Sequence, residues 1–117
     1  MTFDVEIVLR ERDDAITEQL LHDGNEVGEW TEQDVEAVLK QILLAIDRAR
    51  NPGSTRRHVA LRGFSWIVEP ASDGVVIAIE IPMGAAVAGP FSIPQSTLDR
   101  LIGRVVAAAA PSRPVVH

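Results

Sequence analysis

The chain has no cysteine, which removes disulfide frameworks, thiolate metal sites and cysteine nucleophiles together and is compatible with a reducing compartment. It also lacks any run of about 18 apolar residues. The opening stretch MTFDVEIVLRERDD carries acids where a signal peptide needs a basic region and an apolar core. We therefore expect a soluble, cytoplasmic protein that does not engage a membrane. Lysine is nearly absent as well, with Lys40 alone beside ten arginines. A GC-rich bacterial genome suffices to account for that bias, and no mechanism follows from it.

What is present is a chain of 117 residues, 46% of them hydrophobic and 24% charged, the size and balance of one domain with a real core. The boundaries expected are a single domain over 1–110 and a flexible tail over 111–117. Charge is unevenly placed: residues 1–50 hold 13 acids and 5 bases, and the rest hold 4 acids and 6 bases. Ten of the acids lie between Glu11 and Glu36 with only Arg12 to offset them. Such a surface repels phosphate backbones, so no nucleic-acid partner is expected.

Periodicity outlines the elements. Phe3, Val5, Ile7 and Leu9 alternate with Asp4, Glu6 and Arg10, which predicts a half-buried strand over about 2–12. Residues 13–28 fit either a short helix using Ile16, Leu20 and Leu21 or a strand turning at Asp23-Gly24, and the helix is preferred. Val35, Val38, Leu39, Ile42, Leu43, Ile46 and Ala49 recur at spacings of three and four, predicting an amphipathic helix over 32–50. Thr31 is its expected cap, Asp34 its capping-box partner and Trp30 its staple. Asn51, which tolerates a left-handed conformation, and Pro52-Gly53, which cannot continue a helix, are expected to end it.

Two β-rich runs, HVALRGFSWIVE and GVVIAIEI, read as a hairpin with Asp73-Gly74 at its tip, so that Val68 opposes Ile79 and Trp66 opposes Ile81. Phe64, Trp66, Val68, Ile77, Ile79 and Ile81 then share the core face, leaving Ser65, Ile67, Val76, Ala78 and Glu80 on the other. The segment PMGAAVAGPFSIP reads as a proline-bracketed loop, with at most an edge strand near 86–88. A last helix places Leu98, Leu101, Ile102, Val105, Val106 and Ala109 on one side and stops at Pro111. The expected fold is α+β: two layers, a small antiparallel sheet of three or four strands, and two main helices packed on one face.

Few motifs carry chemistry. Counted from Asp23, a calcium loop would use Asp23, Asn25, Thr31 and Asp34 with Gly28 at its turn. Val27 offers no side-chain oxygen at position 5, and Asp34 is a methylene shorter than the closing glutamate. GAAVAGPF, residues 84–91, has the glycine spacing of a phosphate loop but Pro90 and Phe91 where Lys and Ser or Thr are needed. GFSWI lacks the last glycine of a nucleophile elbow, so Ser65 reads as a strand serine. His22, His58 and His117 have no partner at metal-ligand spacing and read as surface or turn histidines. Glu69 and Glu80 read as solvent-facing.

No catalytic residue, cofactor or metal ligand is therefore assigned. The expectation is a non-catalytic interaction module that self-associates or binds a protein partner, with Val8, Ile67, Val76 and Ala78 forming a homodimer face. The alternatives are a small-molecule binder or enzyme with a pocket between sheet and helices, lined by Arg62, Phe64, Trp66 and the 83–92 segment, and a degenerate calcium loop at 23–34.

Overall fold

The computed structural model describes residues 1–109; the expected tail over 111–117 lies outside them. The elements in order are β1 (Thr2–Leu9), β2 (Ile16–Leu21), a short 3-10 turn (Val27–Glu29), α1 (Glu32–Arg50), β3 (Ser65–Ala71), β4 (Gly74–Ile81), β5 (Gly84–Phe91) and α2 (Gln95–Ala109). This is an α+β chain with one five-stranded antiparallel sheet in the order β2-β1-β5-β4-β3, one strand more than the three or four expected. No helix among the described residues is long and apolar enough to cross a membrane.

Burial of the sheet is one-sided. Phe3, Val5, Ile7 and Leu9 of β1, Ile77 and Ile79 of β4, and Ala86, Ala88 and Phe91 of β5 are buried. Asp4, Glu6, Val8, Glu80 and Val87 from the alternate register are exposed. α1 contacts β1, β5 and β2 as well as α2, and α2 contacts β3. The helical stripes close the core through Val35, Val38, Leu39, Ile42 and Ile46 from α1 and Leu98, Leu101 and Ile102 from α2. Val106 is half-buried and Ala109 exposed, so the apolar stripe of α2 runs out before the helix does.

α1 has the predicted span. Its capping box is complete: the Asp34 N–H donates to Thr31 Oγ1 at 3.4 Å, and the Thr31 N–H donates to Asp34 Oδ2 at 2.9 Å. Its end differs in detail. Asn51 has φ −136° and not a left-handed value, and its N–H still bonds Asp47 O; Ser54 then bonds back to Asn51 O, closing a turn around Pro52-Gly53.

Four expectations need correction. Residues 16–21 are a strand, not a helix; β2 is an edge strand with Leu20 alone buried, so it carries little alternation to read. Residues 84–91 are neither a loop nor an edge strand but β5, the middle strand, bonded on both sides by β1 and β4. The run from His58 does not begin a strand until Ser65, because Gly63 at φ +77° interrupts the extended backbone.

The hairpin register is the fourth. Ala71 pairs with Gly74, so Ser72-Asp73 makes the turn and Val68 opposes Ile77. Gly74 is fixed by its neighbour and not by the turn tip: a Cβ there would run into Phe91 O of β5, at φ +137°. The slip is even-numbered, so every side chain keeps its predicted face. Val68, Ile77 and Ile79 are buried, with Phe64, Trp66 and Ile81 half-buried against them.

Candidate functional site

Three places gather chemically capable residues: the 20–34 segment, the clefts around loop 51–64, and the sheet face left open.

In the first, His22, predicted at the surface, is only 4% exposed, and Asp34 6%. His22 Nε2 donates to Asp34 Oδ1 at 2.9 Å, the Asn25 N–H reaches the same oxygen at 3.1 Å, and Asn25 Nδ2, the Thr31 N–H and Thr31 Oγ1 reach Oδ2 at 2.8, 2.9 and 3.0 Å. Burial on its own would raise the Asp34 pKa. It is outweighed by donation from the Thr31 backbone, the Asn25 side chain, His22 and the Asn25 backbone, which hold the carboxyl far below the ordinary aspartate value. Gly24 is required there because a Cβ would collide with Asp34 Oδ1 and His22 Nε2.

The ring of His22 meets Trp30 edge-on at 5.6 Å, Trp30 meets Phe91 at 5.1 Å, and Phe91 meets Phe3 at 5.3 Å. The Trp30 indole N–H also donates to Asn25 O. A histidine held by an aspartate is the start of a nucleophile-activating arrangement, but the only hydroxyl on this cluster, Thr31 Oγ1, is bound to Asp34 itself. The arrangement ties β2, the loop and the start of α1 together. As a twelfth-position calcium ligand, Asp34 would have to release all five donors. No group of three or more His, Asp or Glu suited to a metal occurs among the described residues.

The second place is where the ligand-pocket residues fall, and the structure does not bring them together. The space between helices and sheet is filled by residues such as Ile7, Ile42, Ile46 and Phe91. Arg62 is exposed and lines a cleft of about 360 Å³ with Arg50 and Arg56. Phe64 lies on a neighbouring concavity with Glu80 and Pro82, and Trp66 is half-buried against the core. The 83–92 segment expected to line the pocket is mostly strand β5, paired on both sides. His58 is exposed, His117 lies outside the described residues, and Glu69 and Glu80 are exposed opposite Val76 and Ser65.

The third place is the open sheet face. Val8 is 45% and Ile67 52% exposed, while Val76 and Ala78 are half-buried. The strand order joins them through a residue expected in a loop: Val87 of β5, 44% exposed, pairs with Ala78 on one side and Glu6 on the other. Ile67 pairs with Ala78 in turn, so Glu6, Val87, Ala78 and Ile67 form one row across four strands. A shallow depression of about 250 Å³ opens over Ala78 and Ala85, walled by Ile67 and Val87. Phe91, at the end of the same strand, is fully buried.

No family model, curated protein or solved structure matches the chain.

Proposed function

We propose that the protein is a non-catalytic interaction module, a two-layer domain whose helices cover one sheet face and whose other face binds a second copy of the chain. The observation that carries this reading is the row Val87, Ala78 and Ile67 running from the middle strand β5 to the edge strand β3, with Val8 beside it, in which Val87, Ile67 and Val8 stand exposed. Contiguous apolar surface of that kind marks interfaces. Two sheets stacked face to face interdigitate such side chains, and a two-fold contact uses the same patch twice.

The strand order suits a two-fold axis along β5. β1 and β4 flank β5 on opposite sides, so the axis would exchange them, set Val87 against its own copy, and bring Arg10 of each protomer within reach of Glu80 of the other. Glu69, on the edge strand β3, stays at the rim, where water screens it, whereas Asp4 and Glu6, on β1, would lie across from β4 of the other protomer. Substituting Val87→Glu would bury an unpaired carboxylate at the centre, costing several kcal/mol, and is expected to give a folded monomer. Light scattering after size exclusion reads the difference. A variant that remained a dimer would place the interface elsewhere.

A further inference from the structure

The C-terminal half of α1 and loop 51–64 make a second surface of opposite character to the acidic N-terminal half. Residues 48–62 hold five arginines, one histidine and no acid. Three of these arginines, Arg50, Arg56 and Arg62, line the cleft of about 360 Å³ between α1, the loop and the Pro82-Met83 turn. The one acid on its wall, Asp47, is already engaged: Ser54 Oγ donates to it at 2.6 Å, and Arg56 lies 3.9 Å away while its Nε donates to His58 O. Arg56 is thereby compensated and oriented. Arg50 and Arg62 take part in no ion pair among the described residues. The floor between them is apolar, made by Leu43, Ile46, Val59 and Ile81.

Two unpaired guanidinium groups at the mouth of an apolar cleft are donors without an acceptor, and their planar forks match carboxylate and phosphate oxygens. Size and lining agree with a small-molecule site, mostly apolar with a few converging polar groups. We infer that this cleft binds a small organic anion, a carboxylate or phosphate monoester with an apolar body, its head held by Arg50 and Arg62 and its body on Val59 and Ile81. The site is separate from the open sheet face and does not depend on the dimer.

Phenyl phosphate is the probe, followed by amide chemical shifts in the full-length protein. Saturable shifts centred on residues 50, 59, 62, 81 and 83 are expected, with a dissociation constant tighter than about 1 mM. Inorganic phosphate should bind more weakly, because it leaves the floor uncovered, and phenol should not compete, because it brings no charge. The double variant Arg50→Gln/Arg62→Gln should weaken phenyl phosphate about tenfold or more, while Arg100→Gln, on α2 away from the cleft, should not. Unfolding midpoints of both variants serve as the check on folding, and for a double variant that fails to fold, Arg62→Gln alone carries the same test with a smaller loss. Shifts scattered over the other arginines, equal binding of phosphate and phenyl phosphate, or unchanged affinity in a folded cleft variant would each overturn the site.

Discussion

Asp34 accepts hydrogen bonds from His22, Asn25 and Thr31 on two oxygens at a place where water hardly reaches it, and a buried carboxylate is tolerated only when it is satisfied in this way. Its protonation is therefore coupled to folding. The folded-state pKa lies below the unfolded value, so the stabilisation is present above the ordinary aspartate value of 3.8 and is lost progressively as pH falls below it towards the depressed folded-state value. Thermal unfolding scanned from pH 7 down to about pH 3 should show the melting temperature falling over the lower part of the range. In Asp34→Asn, less stable at neutral pH because a charged acceptor has been removed, that part of the fall should be smaller; an identical pH profile would show that Asp34 is not the group responsible. Sequence alone exposes half of this residue's role. The three-residue step from Thr31 to Asp34 is local and reads as a capping box, whereas His22 lies twelve residues away and joins only when β2 returns beside β1.

At the scale of elements, local chemistry decided what could be read. α1 has its cap, its stripe and its proline stop within its own residues, and its span needed no correction. β5 has none of these signals: Gly84, Ala85, Ala86, Ala88, Gly89 and Pro90 all disfavour or fail to favour a strand, and what extends them is pairing with β4, its hairpin neighbour across Pro82-Met83, and with β1, distant in sequence. Small side chains have a use there. Ala86 and Ala88 are buried on the side where α1 contacts the strand, while Ala85 belongs to the open face. Ala88→Leu should cost about 1–3 kcal/mol by overpacking, and Ala85→Leu should change stability by no more than about half a kcal/mol. Chemical denaturation compares the two, and equal costs would contradict the one-sided burial. The open sheet face was legible only in part for the same reason: Val8, Ile67, Val76 and Ala78 followed from strand parity, which an even register slip preserves, but Val87 could not be placed without β5.

Taken whole, the molecule is an electrostatically divided one. Its acids concentrate between Glu11 and Glu36 and its arginines between Arg48 and Arg62, at opposite ends of a helix of 19 residues, while its open sheet face carries Val8, Ile67 and Val87 exposed. The central claim is that this face is closed by a second copy. Light scattering on the wild-type protein after size exclusion, loaded at about 100 μM, tests it most directly, since an interface worth some 6 kcal/mol is largely occupied at that concentration. A mass of twice the 12.7 kDa chain, returning to a single chain in Val87→Glu, is the predicted result; a wild-type protein that stays at the mass of one chain contradicts it.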